Sequence, residues 1–213
     1  MTANKEILRQ AFRNHYDHEF ESLLFDAGGV FDDLGGQGGT ASGSGVGAAE
    51  NGTAAIQRTV LTLTNTPVVL ADNAGVTAYG SLKVYTFPVG VIFHIGSVSN
   101  LALTKSSTGV NADWDGDIAL GTVAANNGAT PLAGTEQDLI PNTATPQAVG
   151  GVTTGDADST TTEAGVVFDG TGGAKEAYLN VLVDDADHDV TGTPCNLIAN
   201  GTITITWILL GDN

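Results

Sequence analysis

The residues with most potential for chemistry lie in one acidic string, Asn111-Ala112-Asp113-Trp114-Asp115-Gly116-Asp117. Carboxylates that alternate along a loop, as at Asp113, Asp115 and Asp117, converge on one Ca²⁺ ion in calcium-binding loops. An EF-hand loop also needs a bidentate glutamate at its twelfth position and a glycine at its sixth. Here Ala124 takes the twelfth position and Gly116 the fourth. These aspartates are therefore weak calcium candidates, and we interpret the string as an acidic turn that leads into a strand.

The same string resembles the Asn-Ala-Asp-Phe-Asp-Gly-Asp motif that holds the catalytic magnesium ion of multisubunit RNA polymerases. That resemblance covers only the 7 residues from 111 to 117 in a chain of 213. A polymerase also needs basic residues to hold triphosphate and template, and the whole chain has 7 lysines and arginines. We interpret the match as a coincidence. A second acidic run, Asp184-Asp185-Ala186-Asp187-His188-Asp189, is likewise interpreted as a turn.

The sequence lacks the other common catalytic motifs. His15, His18 and Glu19 lie close together without forming the His-Glu-x-x-His pattern of zinc proteases. There is no Gly-x-Ser-x-Gly nucleophile motif, and Cys195, the only cysteine, is interpreted as a small buried apolar residue. A carboxylate pair for glycoside hydrolysis stays open, since such a pair is recognised only in space. We predict that the protein is not an enzyme and uses no cofactor.

The charge of the chain narrows the choice of partners. The net charge is −17, and from Ala27 onward four basic residues stand against 19 acidic ones. Nucleic-acid binding needs clustered lysines and arginines, so we expect no nucleic-acid partner. No segment has the length and apolarity of a membrane span or a secretion signal, so we expect synthesis in a cytoplasm and no membrane partner.

Residues 4–26 carry the clearest helical pattern. Apolar residues recur every four positions and form one broad stripe, which predicts an amphipathic helix within an N-terminal arm of residues 1–27. Basic residues come early in this helix and acidic ones late, which opposes the helix dipole, so we expect the helix to need a surface to lie on. The predicted partner-binding residues on its apolar face are Ile7, Leu8, Phe12, Tyr16, Phe20, Leu23 and Leu24.

Residues 28–55 are rich in glycine and serine and predict a flexible linker between the arm and the rest of the chain. A helix that belongs only to the core of its own domain rarely needs such a linker. We therefore favour docking of the arm on a partner, on a neighbouring subunit or in a helix bundle.

Residues 56–213 read as a single β domain. Short threonine- and valine-rich segments alternate polar and apolar residues, most strictly over 202–209. No helical pattern separates these segments, so we predict an all-β fold, an antiparallel β-sandwich of jelly-roll type. The stretch 124–163 shows almost no strand pattern and predicts a long loop.

Three segments of this domain resemble accessory virion proteins of tailed bacteriophages. They are 116–123 (Gly-Asp-Ile-Ala-Leu-Gly-Thr-Val), 174–185 and 200–207 (Asn-Gly-Thr-Ile-Thr-Ile-Thr-Trp), within a likeness that spans residues 80–213. The resemblance implies a capsid decoration, or cement, protein located in the virion. It further implies a homo-oligomer, with a trimer favoured, that binds the major capsid protein or other virion proteins and stabilises the shell.

Two alternatives stay open at this stage. A phage fibre or tail module that binds carbohydrate or a receptor would use the predicted loop at 124–163. A Ca²⁺-dependent enzyme or lectin would use the acidic turns, and a melting temperature that responds to Ca²⁺ and EDTA would distinguish it.

Overall fold

The computed structural model describes residues 38–52, 56–72, 77–126, 131–160, 162–187 and 195–211. Within these ranges the chain forms strands and two single-turn 3₁₀ helices, Gly134–Glu136 and Asp185–Asp187, and no α-helix. The strands are β1 Thr40–Ala41, β2 Val46–Gly52, β3 Gln57–Asp72, β4 Thr77–Thr86, β5 Val91–Lys105, β6 Gly116–Gly121, β7 Ile140–Thr145, β8 Val152–Thr154, β9 Ala157–Asp158, β10 Val166–Asp169, β11 Glu176–Asp184 and β12 Asn196–Gly211. Among the described residues, no helix is long and apolar enough to span a membrane.

All strand pairs are antiparallel, and the main sheet follows the order β10-β5-β12-β3-β4-β11-β6-β7. The long strand β3 connects its two halves, since its first part pairs with β12 and its last three residues pair with β4. At the far end β7 lies beside β9, which pairs with β5. The sheet is therefore nearly closed into a barrel. This confirms the predicted all-β antiparallel class, whereas the finer prediction, a sandwich of jelly-roll type, is not confirmed.

The alternation of the sequence separates an inner face from an outer face. In β12, Ile203, Ile205 and Trp207 are fully buried, whereas Thr202 is exposed and Thr204 is half-buried. Successive side chains of a strand point to opposite faces, so the isoleucines and the tryptophan line the core and the threonines face outward. The inner residues of β3, β4, β5, β6 and β11 complete one apolar core.

The structure differs from the sequence prediction between residues 38 and 52. Part of the predicted linker 28–55 forms β1, which pairs with β4, and β2, which pairs with β3 from Val46 to Gly52. The glycines permit this close packing: Gly45 has a φ of +82°, and a Cβ atom there would lie 2.5 Å from the Thr64 carbonyl oxygen. A segment of small residues lacks the polar and apolar alternation that sequence patterns detect. It becomes a strand because a neighbouring strand supplies its hydrogen bonds.

The predicted loop at 124–163 is also wrong in its strand content, since it contains β7, β8 and β9. Ile140, with 1% of its surface exposed, packs in the core, and Pro141 follows it in β7. Because β7 ends the strand order, a proline that cannot donate a hydrogen bond is tolerated there. The strands β8 and β9 are two or three residues long, and β5 supplies their pairing.

Candidate functional site

The predicted partner-binding residues of the arm lie outside the described residues. They are Ile7, Leu8, Phe12, Tyr16, Phe20, Leu23 and Leu24. The limits of the arm at 1–27 stay a prediction for the same reason.

Of the three weak calcium candidates, Asp113 and Asp115 precede β6 and Asp117 is its second residue. Asp113 is exposed, while Asp115 and Asp117 are half-buried. Across the described ranges, no group of three or more histidine, cysteine, aspartate or glutamate side chains is arranged to hold a metal ion. Their placement agrees with a turn that leads into a strand.

The structure brings the two acidic strings together, a contact that no sequence pattern predicted. The Asn111 backbone N–H donates to the Asp187 carbonyl oxygen over 2.9 Å, and its side-chain amide donates to the Ala186 carbonyl oxygen over 3.0 Å. The Asp115 N–H donates to the Asp187 carboxylate over 3.3 Å, while the Asp115 carbonyl oxygen accepts from the Asp184 N–H over 3.3 Å. These bonds join the turn before β6 to the 3₁₀ helix Asp185–Asp187, so the polar residues of both strings hold the two segments together.

A different region, the outer face of β10, β5 and β12, carries apolar residues that are exposed or half-buried. Val167, Phe93 and Ile208 are register partners on the three neighbouring strands and form one lateral row. Val167 is 53% exposed and Phe93 and Ile208 are half-buried, while Leu210, 58% exposed, follows on β12. Together with Ile95 and Val98 these residues make up what we call the outer patch.

A groove of about 310 Å³ opens within the outer patch. Its cause is a β-bulge: Thr206 pairs with Gly96 and Trp207 with His94, so Ile95 is an extra, unpaired residue. Bulges re-aim side chains next to them, and here Ile95 and Gly96 both face the groove. Since Gly96 has no side chain, the groove stays open. Its lining consists of Ile95, Gly96, Ser97, Val98, Asp158, Ser159, Thr204 and Thr206.

Beneath the groove, His94 fixes the bulge from the inner side. It is fully buried, and its Nδ1 lies 2.7 Å from the Glu163 carbonyl oxygen. Because a carbonyl only accepts, Nδ1 carries the proton, and Nε2 accepts from the Ser97 hydroxyl over 2.7 Å. Burial lowers the pKa of His94, although the Glu163 carbonyl and the carboxylates of Asp138 and Glu163 act in the opposite direction. The ring is therefore neutral at neutral pH and serves as a structural support.

Carboxylates lie along one side of the outer patch. Asp158 and Asp169 are exposed, and Glu163 is half-buried. The Asp169 carboxylate accepts from the N–H and the hydroxyl of Thr171 over 2.8 and 2.7 Å, and these bonds lower its pKa. Asp169 is thus ionised at neutral pH, and this side of the patch is anionic.

A second polar cluster anchors the chain where the described residues begin. The Tyr85 hydroxyl donates to Glu50 over 2.5 Å and accepts from the Gly39 N–H over 2.7 Å. Thr59 donates to the other Glu50 oxygen over 2.9 Å and accepts from Trp207 Nε1 over 2.9 Å. Burial, and then the Glu50 carboxylate, raise the pKa of Tyr85 above its usual range, so the hydroxyl keeps its proton. The cluster ties residues 39 and 50 to the core.

No protein-family model matches the chain, and no curated protein and no solved structure matches it at a significant level.

Proposed function

We propose that this chain is a non-catalytic structural protein of a virion, which binds and stabilises a bacteriophage capsid shell as a decoration, or cement, protein. The observation that carries this proposal is the outer patch, with Val167 and Leu210 more than half exposed on a body of high negative charge. Contiguous exposed apolar surface marks sites of protein association. The resemblance of residues 80–213 to accessory virion proteins supports the choice of a shell as the partner.

Charge explains why the patch suits a protein partner. Copies of a chain with a net charge of −17 repel one another, so a surface poor in carboxylates is the one best suited to close contact with an anionic or neutral partner. The centre of the outer patch holds Phe93, Ile95 and Ile208, and the carboxylates lie at its side. Such an arrangement, an apolar centre with a polar rim, is typical of protein interfaces.

The proposed partners are the major capsid protein and further copies of this chain, with a trimer favoured. The apolar stripe of the N-terminal arm is the second proposed contact with the shell. Both surfaces would be buried at the same time on a particle, which gives avidity from two weak contacts.

Quantitative mass spectrometry of gradient-purified virions tests the proposal. A decoration protein is expected at a copy number comparable to that of the shell subunit. A low copy number would favour a tail or fibre position, and absence from the particles would contradict the proposal.

Point substitutions in the full chain test the arm more cleanly than a deletion, because residues 40–52 belong to the sheet. Phe12→Asp combined with Phe20→Asp is expected to abolish binding to shells that lack the protein. The matched control is Val69→Glu, which places a charge at a 68% exposed valine outside the outer patch. Retention of wild-type occupancy by the arm variant would contradict a role for the arm.

The groove supports a second candidate, a fibre or tail module that binds carbohydrate or a receptor. Thr204, Thr206 and Ser159 supply hydroxyl groups at its wall and Asp158 supplies a carboxylate, and such groups bind sugar hydroxyls. A glycan array with wild type and Asp158→Asn distinguishes the two functions. Binding that the substitution abolishes would favour the carbohydrate module.

A further inference from the structure

We propose that, in the free protein, the apolar face of the N-terminal arm, residues 4–26, covers the outer patch of its own chain. This goes beyond the proposed function, since it concerns the protein before it meets a shell. Three observations carry it: the apolar content of the patch, the position where the described chain begins, and the distribution of charge.

The outer patch supplies an apolar surface on which the apolar stripe of the arm can pack. Val167, Phe93 and Ile208 form a row across three strands, and the groove beside them has Ile95 and Val98 on its walls. The arm carries an apolar stripe with an aromatic residue at positions 12, 16 and 20. A lone amphipathic helix is marginal in water and gains stability when its apolar stripe packs on an apolar surface.

The connection is long enough. Gly39 and Glu50 of β2 bond to the same Tyr85 hydroxyl, so the described chain begins beside β2. From β2, β10 lies four strand positions away through β3, β12 and β5. Four spacings amount to about 19 Å. The residues 27–37 between the arm and the described chain can span up to roughly 36–40 Å. A tethered segment that reaches its site binds at a millimolar effective concentration, which favours the chain's own arm over that of a second copy.

The charges are complementary. Lys5, Arg9 and Arg13 precede most of the arm's acidic residues, and four-residue spacing places them along one side of a helix. The acidic side of the patch holds Asp158, Glu163 and the ionised Asp169. Two described basic residues lie near this surface. The positive charge of Lys175 helps to lower the pKa of Asp169, and Arg58 of β3 is the register partner of Thr206. The basic half of the arm therefore belongs at the β9 and β10 side.

Docking of this kind hides two apolar surfaces with one contact. The free protein would expose neither the stripe of the arm nor the outer patch, so copies would not associate through them. A shell that binds both surfaces would displace the contact.

Photo-crosslinking of the full chain tests the proposal. A benzophenone amino acid replaces Phe12 or Phe20, and the sample is an equal mixture of ¹⁵N-labelled and unlabelled protein. We expect crosslinks to peptides that contain residues 91–98, 166–169 or 206–210, with both partners carrying the same isotope. Crosslinks elsewhere, pairs of mixed label, or no crosslinks would each overturn the proposal.

Variants of the patch sharpen the result. Val167→Glu combined with Leu210→Glu is expected to lower the crosslink yield about tenfold, because a charge then faces an apolar contact. Val69→Glu combined with Val149→Glu, two exposed valines outside the patch, is the matched control and should leave the yield unchanged. Equal yields in both double variants would contradict the proposal. Shell binding is measured separately, so the virion function can fail while this contact is confirmed, and the reverse.

Discussion

The inner and outer faces of β5 and β12 carry residues of similar size with different roles: the inner residues form the core, and the outer ones form the proposed binding surface. On the inner face, Ile92, His94 and Trp207 have no exposed surface, and the polar atoms of His94 and Trp207 have hydrogen-bond partners. On the outer face, Phe93 and Ile208, their immediate neighbours in the chain, take no part in the described core. Because neighbouring residues in a strand face opposite ways, fold and binding can be altered separately in the same strand.

The difference also concerns how polar groups are used. Inside, the hydroxyls of Thr59 and Ser97 satisfy Trp207 and His94, and an unpaired group there would cost free energy. Outside, Thr204 and Thr206 line the groove of the outer patch. The inner polar groups therefore contribute to stability, and the outer ones are free to contribute to recognition.

The largest effect is expected for Trp207→Ala. This change removes a fully buried indole that contacts Phe87 edge-on, with ring centroids 5.7 Å apart, and leaves Thr59 without its donor. We expect the free energy of unfolding to fall by about 3–5 kcal/mol. The outward neighbour Thr206→Ala should change it by less than about 0.5 kcal/mol. Urea denaturation of both variants checks the comparison, and equal losses would refute it.

Tyr85→Phe tests the inner polar cluster with a smaller change. The hydroxyl is lost, so the Gly39 N–H and one Glu50 oxygen lose their partner. We expect a loss of about 1–3 kcal/mol in the free energy of unfolding. Tyr178→Phe is the control, since that hydroxyl also donates to a glutamate, Glu176, but at a half-buried position outside the core. The control should lose less than about 1 kcal/mol; a larger loss there than at Tyr85 would count against the cluster.

His94→Gln tests the inner face through pH. Because the pKa of His94 is lowered in the folded state, the unfolded chain takes up this proton at higher pH. The contribution of His94 to the free energy of unfolding is therefore fully present above the unfolded pKa of about 6.5. It decreases as pH falls below that value, by at most about 1.4 kcal/mol per pH unit. Melting curves between about pH 7.5 and 5.5 should show a shallower dependence for the variant. The same slope in both proteins would mean that His94 is not the group responsible.

The smallest effect on stability is expected for Thr204→Ala at the groove. Its side chain is half-buried on the outer face, so the free energy of unfolding should change by less than about 0.5 kcal/mol. Isothermal unfolding measures this directly. A loss above about 2 kcal/mol would show that the outer face is part of the stabilising core.

The sequence predicted most of the longer strands and missed β1, β2, β7, β8 and β9. The strand at 202–209 was evident because threonine alternates with an apolar residue from Thr202 to Trp207, and it forms most of the second half of β12. The strands β2, β8 and β9 are short or built from small residues, and they exist because β3 and β5 supply their hydrogen bonds. Pairing of this kind depends on residues far away in the chain, so a local pattern cannot reveal it.

The outer patch could not be predicted for a related reason. Val167, Phe93 and Ile208 are far apart in sequence and become neighbours only through the register of β10, β5 and β12. The groove depends on a one-residue bulge at Ile95, which has no signature beyond the adjacent Gly96. The string at 111–117 was recognised from its composition as a turn that leads into a strand, but its contact with the second acidic string also required the fold.

Hydroxyl-radical footprinting of the full chain tests the central claim, that the outer patch is a binding surface covered by the arm. It compares side-chain oxidation in wild type with that in Phe12→Asp combined with Phe20→Asp. We predict that Phe93, Ile208 and Leu210 are protected in the wild type and become more reactive in the variant, while Val69 and Val149 react equally in both. Equal oxidation of the outer patch in the two proteins would contradict the account.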